Sequence, residues 1–215
     1  MKKRLLLLVL TTLFGAVLFV PFVRAASANT PVWLWILFPA ASGLAVLVFG
    51  GLGLRFADRA DFPMPLLRPW EMGQPVAWQA VRQLGLPVLA GLALALLIAG
   101  LNRYFHPPTN PGSLAVRVIT TPWAAIVTET VAHLFALSGL YLLWRNKWAA
   151  LLGSSLIFLG LFHLNGADGN PSLAIYLGLM NFVGILLSGW FYCRRGFEAA
   201  VATHAAMHLV LLTLG

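Results

Sequence analysis

Charge, acid and cysteine are all scarce in this chain. Only 9% of its 215 residues are Asp, Glu, Lys or Arg, against about 25% in an ordinary water-soluble domain, so a soluble fold with a charged surface is excluded. Six acidic residues stand against fourteen basic ones, for a formal charge of +8. No basic run is longer than Lys2, Lys3, Arg4, which leaves no patch for nucleic acid. The lone cysteine, Cys193, excludes an internal disulfide and any multi-cysteine metal site. Internal repeats and low-complexity segments are missing too. What abounds is hydrocarbon: 60% of the residues are apolar and the mean hydropathy is +0.86. A chain of this kind belongs in a bilayer.

A transmembrane helix takes roughly 20 residues, so the length has room for six or seven spans and for no large extramembrane domain. Seven apolar runs read as helices: Leu5–Val23, Val32–Leu54, Pro87–Leu101, Val118–Leu143, Trp148–Leu164, Leu173–Tyr192 and Phe197–Leu214. The expected fold is therefore an all-α, polytopic integral membrane protein of about seven helices. The third run is the shortest. Between the second and third, residues 55–86 carry charges, prolines, Trp70 and Trp78, which suits a loop at headgroup level or a solvated connector. Residues 1–117 read as N-terminal membrane helices with that loop, and residues 118–215 as the helical core that carries the candidate site.

With the N-terminus in the cytoplasm, Lys2, Lys3, Arg4, Arg55, Arg59, Arg68, Arg82, Arg145, Lys147, Arg194 and Arg195 fall on the inner side, leaving Arg24, Arg103 and Arg117 outside. Positive loops then lie inside, as the rule requires. Lys2 to Arg4, the following apolar core and the small residues Ala25 to Ala28 also resemble a signal peptide, but the core exceeds the usual 7 to 15 residues and favours an uncleaved anchor. The compact size and motif style suggest a bacterial inner membrane.

Ionisable side chains inside hydrocarbon cost about 2.5–3.5 kcal/mol each on insertion scales, so those within a span are functional candidates. They are few: Glu129 with His133 in the fourth run, His163 near the end of the fifth, and His204 with His208 in the seventh. A spacing of four sets Glu129 and His133 on one helix face and does the same for His204 and His208. The fourth run heads inward while the fifth and seventh head outward, so one carboxylate and up to four imidazoles can share a cavity in the outer half of the membrane. Water activation by a general base is the chemistry such a group suits. His106 falls in a polar loop and reads as solvated. Glu198, opening the last helix, reads as a helix-dipole partner.

These positions bring a family into view. Residues 124–215 resemble the CAAX-protease and bacteriocin-processing (CPBP, or Abi) family of intramembrane peptidases, whose motifs are EExxxR, FxxxH and HxxxN in that order. The first is matched by Glu129, Thr130 and the residues to Leu134, the second by Phe158 to His163, and the third by His204 to His208. Thr130 stands in place of the second glutamate and Leu134 in place of the arginine. In the register shifted by one, Thr128 replaces the first glutamate and His133 the arginine. Phe158 precedes His163 by five rather than four, and His208 replaces asparagine.

The resemblance implies a peptidase acting on a membrane-associated peptide or protein. Glu129 would activate water, His163 would assist, and His204 with His208 would stabilise the water and the oxyanion. A histidine in place of asparagine also adds a metal donor, so Glu129, His163, His204 and His208 offer ligands for a tetrahedral zinc, with Thr128, Thr130 or Thr203 as orienting hydroxyls. Other readings stay open: a member that has lost activity, a haem carrier using His133 and His208, a proton-coupled transporter using Glu129, and a rhomboid-type serine peptidase using Ser138. Membrane lipids are the expected surroundings in every case.

Overall fold

The computed structural model of the chain describes residues 1–26, 32–105, 114–162 and 171–214, and among these every regular element is helical. The reason lies in the composition: a long apolar run has no side chains to satisfy its backbone N–H and C=O groups, and a helix satisfies them internally. In chain order the helices are α1 (Lys2–Ala26), α2 (Val32–Ala45), α3 (Gly51–Arg59), α4 (Leu67–Glu71), α5 (Trp78–Arg82), α6 (Gly85–Phe105), α7 (Leu114–Glu129), α8 (Ser138–Trp144), α9 (Lys147–Phe162), α10 (Pro171–Arg195) and α11 (Phe197–Leu214). Two wider, π-helical segments, Val46–Gly50 and Thr130–Leu137, join α2 to α3 and α7 to α8 without a break.

Four stretches are long and apolar enough to cross a membrane: Pro39–Arg59, Trp78–Tyr104, Thr121–Trp144 and Ser172–Arg195. Lys147–Gly160 and Phe197–Leu211 are apolar but shorter. At most 39% of any of the four windows is buried inside the protein, and Leu6, Phe14, Leu89, Leu97, Leu143 and Ile175 stand exposed. So much outward hydrocarbon suits lipid and not water.

The third apolar run is not short after all. Gly85 and Leu86 begin α6 ahead of Pro87, and the helix continues through Asn102 to Phe105, because a partner on α10 takes up the Asn102 amide: the Tyr176 hydroxyl donates to Asn102 Oδ1 at 2.5 Å. Helix α9 starts at a side-chain cap, with Asn146 Oδ1 accepting the N–H groups of Trp148 and Ala149 at 2.9 and 3.1 Å. Helix α10 ends at Gly196, whose φ of +96° lies in the region glycine enters without strain. A side chain there would also run into the Pro63 carbonyl.

Residues 55–86 form an ordered connector instead of a plain loop. Arg4, only 5% exposed, bridges Asp58 (2.8 and 3.0 Å) and Glu71 (2.7 Å), and the Met1 amine pairs with Glu71 as well. Arg68 reaches Asp58 and Asp61 at 3.3 and 3.4 Å. Glu198 does act as a cap, but for another helix in addition to its own: its Oε1 accepts the N–H groups of Leu66 and Leu67 at the start of α4, at 3.0 and 2.7 Å. Phe62 packs on Tyr192 and Tyr141, with ring centroids 4.9 and 5.3 Å apart. These contacts gather the starts of α1, α9 and α11 and the ends of α3, α8 and α10 at one charged end of the bundle. Helix α11 packs on α6, α7 and α10, and α1 on α7.

Candidate functional site

Glu129 is the one acidic residue among those described that lies away from the charged end, and it is fully buried. It closes α7 just where the backbone widens into the π-helical segment. Such segments occur frequently at functional sites. A π-helix has more than four residues per turn, so His133 returns to the same face as Glu129. The His133 Nδ1–H donates to Glu129 Oε2. From α11, the His204 Nδ1–H donates to Glu129 Oε1 at 2.7 Å. One carboxylate thus binds two imidazoles from two helices, with each oxygen taken.

The two histidines face different surroundings. His133 is fully buried; its ring lies 6.0 Å from that of Tyr192 in a stacked arrangement, and its Nε2 has no hydrogen-bond partner among the described residues. It fits under α10 only because Gly189 has no side chain: a Cβ there would lie 2.5 Å from His133 Nε2. His204 instead reaches a cavity of about 550 Å³. Its ring stacks on His208 at 4.7 Å between centroids, and both line the cavity, together with Thr128, Asn102, Tyr176 and Asn181 among apolar side chains. Among the described residues no Lys, Arg, Asp or Glu lines it. Glu129 itself does not line it either.

The tautomer follows from this arrangement. A neutral imidazole that donates from Nδ1 keeps Nε2 as a bare acceptor. In its neutral form His204 therefore combines an oriented ring, a carboxylate behind it, an Nε2 lone pair that Glu129 does not occupy, and access to the cavity. Carboxylate–imidazole pairs of this type orient a general base and stabilise the imidazolium formed when it takes a proton.

Set against the sequence-based expectations, the structure joins Glu129, His133 and His204 directly and adds His208 through its stack. His163 and His106 lie outside the described residues. Of the expected zinc set, His163 is not among the described residues; Glu129 Oε1 is bonded to His204 Nδ1 and Oε2 to His133 Nδ1, and among the described residues no group of three or more His, Cys, Asp or Glu is placed to hold a metal ion. Of the threonines, Thr128 lines the cavity, Thr203 bonds its own backbone at the Ala199 carbonyl, 2.9 Å away, and the Thr130 hydroxyl has no partner among the described residues. Ser138 shares a 2.6 Å hydrogen bond with the Tyr192 hydroxyl, and no imidazole among the described residues is hydrogen-bonded to it as the base a serine nucleophile needs. His133 is fully buried, whereas His208 lines the cavity. Asn102, Tyr176, Asn181 and Gly189 were not anticipated. The two asparagines, as amides inside apolar runs, carried the signal that could have marked them.

Comparison with family models, with curated proteins and with solved structures finds no match for this chain.

Proposed function

We propose that the chain is an intramembrane hydrolase that cleaves a membrane-associated peptide or protein, of the CPBP type suggested by its motifs. The observation that carries this reading is the bond between Glu129 and His204 at the wall of a cavity of about 550 Å³. His204 Nε2 takes a proton from water as the water oxygen attacks the substrate carbonyl carbon. Glu129, behind the ring, holds the tautomer and stabilises the imidazolium. The proton then passes to the leaving amine as the carbon–nitrogen bond breaks. His208, stacked on His204, offers a donor to the developing oxyanion. This moves the general base from Glu129, as the family resemblance had it, to His204, since Glu129 is fully buried behind the ring and His204 lines the cavity. His163 keeps the assisting role that the resemblance gives it.

A cavity whose described lining is apolar groups, amides, hydroxyls and two imidazoles, with no Lys, Arg, Asp or Glu, suits an uncharged apolar segment of substrate. The membrane topology we propose has seven spans, the four long apolar stretches plus α1, α9 and α11, with the charged end in the cytoplasm by the positive-inside rule and with a bacterial inner membrane as the site. A second reading, proton-coupled transport, is favoured by the hydrogen-bonded series His133, Glu129, His204, on whose last ring His208 stacks. Against it, the series has no continuation at His133 Nε2 among the described residues.

The test is hydrolysis of labelled membrane peptides in proteoliposomes. Removing a general base or its oriented carboxylate lowers such rates by about 10²–10⁴-fold, so Glu129→Gln and His204→Gln should lose cleavage at normal membrane abundance. Undiminished cleavage by either variant would reject the mechanism. Proton uptake driven by a pH gradient, with no cleavage by the parent protein, would favour transport.

A further inference from the structure

The seam between α9 and α10 carries features that the hydrolytic site does not use. At the charged end a cleft of about 200 Å³ is lined by Lys147, Trp148, Leu151, Trp190, Cys193 and Arg194. Both cations are exposed. Among the described residues neither forms an ion pair with a carboxylate: Asp58, Asp61 and Glu71 are engaged with Arg4, Arg68 and the Met1 amine, and Glu198 caps α4. Lys147 does nothing for its own helix, because it occupies the first turn of α9, where the helix dipole disfavours a cation. Aromatic faces hold both charges in place: the Lys147 ammonium lies 5.5 Å from the Phe62 ring centre and 5.9 Å from that of Tyr141, and the Arg194 guanidinium 5.5 Å from Trp190.

The same seam continues away from the charged end as hydrocarbon. Trp148, Leu152 and Leu156, spaced by four on α9, are all exposed. Beyond Trp148 and Leu152 a second groove, about 340 Å³ in volume, is lined among the described residues by Leu156, Leu159, Ala174, Ile175, Gly178, Leu179 and Phe182. From Trp148 to Leu159 the helix rises ~16 Å at 1.5 Å per residue, a length that accommodates most of an acyl chain. Two unpaired cations beside tryptophans, followed by an apolar track, match a phospholipid: indoles and basic side chains favour the headgroup level, and basic residues attract anionic lipid.

We propose that the α9–α10 seam is a binding site for an anionic phospholipid, its phosphate held by Lys147 and Arg194 and one acyl chain seated in the groove at Gly178. This rests on the membrane-spanning reading and is independent of the hydrolytic one.

The experiment uses the full chain in detergent, with phosphatidylglycerol, phosphatidylcholine or inorganic phosphate added, and reads bound lipid by native mass spectrometry together with the shift in thermal midpoint. Phosphatidylglycerol should bind and stabilise, and the other two should not. The double variant Lys147→Gln/Arg194→Gln should lose about tenfold or more in affinity, while Arg55→Gln/Arg82→Gln, with the same change in net charge, should keep it. Gly178→Leu, which fills the groove and leaves the charges alone, should weaken lipid binding too. Equal stabilisation by phosphatidylcholine or by phosphate, or an unaffected Lys147/Arg194 double variant, would overturn the proposal. Release of the chain from membranes by alkaline extraction would overturn the membrane reading beneath it, whereas loss of peptide cleavage would leave it standing.

Discussion

Gly189→Ala tests the packing that holds the Glu129 group together. A Cβ on Gly189 would lie 2.4 Å from Leu151 Cδ1, 2.5 Å from His133 Nε2 and 2.8 Å from His133 Cδ2, whereas non-bonded carbon contacts settle at about 3.5–4.0 Å. The ring would have to withdraw by roughly an ångström. It cannot do so freely, because Nδ1 is bonded to Glu129 and the ring face lies against Tyr192. Overpacking of this kind costs about 1–3 kcal/mol. Any helical Gly→Ala change also gains up to about 1 kcal/mol of helix propensity, so the reference should be Gly178→Ala on the same helix. There the nearest atom, Leu159 Cδ1, would be 3.7 Å away, an ordinary contact. Propensity cancels between the two variants, and Gly189→Ala should be the less stable by about 1–3 kcal/mol, measured by denaturant unfolding in mixed micelles. It should also cleave peptides more slowly than Gly178→Ala under conditions where both are folded. Equal stability of the two variants would mean that His133 does not lie under α10 as described, and the reasoning would fail.

Arg4→Ala removes a nearly buried cation from Asp58 and Glu71. Both carboxylates keep some contact with water, so the loss should be about 2 kcal/mol, below the 3–5 kcal/mol of a fully buried pair, and a lowered thermal midpoint checks it. In Glu198→Ala the amides of Leu66 and Leu67 lose their acceptor; hydrogen exchange there should speed up markedly, at a cost of about 1 kcal/mol in stability. Ser138→Ala leaves the buried Tyr192 hydroxyl without its 2.6 Å partner and should cost about 1–3 kcal/mol without touching the reacting groups, so kcat should hold once folding is accounted for. His208→Ala should lower kcat while leaving the Glu129–His204 bond intact, which the imidazole nitrogen shifts of His204 in an NMR spectrum would report.

Much of the helical content could be read from hydropathy, since each of the seven apolar runs lies within a helix wherever it is described, and α11 has the boundaries expected of it. The connector at residues 55–86 could not. Its order comes from Arg4 and Glu198, partners 54 to 132 positions away along the chain, and no local periodicity encodes a bond of that range. The lengthening of α6 has the same origin in Tyr176. Within the site, the rarity of ionisable groups in apolar runs singled out Glu129, His204 and His208. It did not reveal that both Glu129 oxygens are occupied, because this depends on how α11 sits against α7. Nor does Thr130–Leu137 carry a proline or glycine to announce its wider turn. Those two facts underlie our proposal that an imidazole, and not the carboxylate, is the general base.

The measurement that bears most directly on this account is the cleavage rate of Glu129→Gln, His204→Gln and the double variant in one proteoliposome assay. If Glu129 acts through His204, each single change should cost about 10²–10⁴-fold and the double variant should fall no further than the worse single, as residues acting as a unit do. Independent, multiplying losses, or a Glu129→Gln protein as active as the parent, would contradict it.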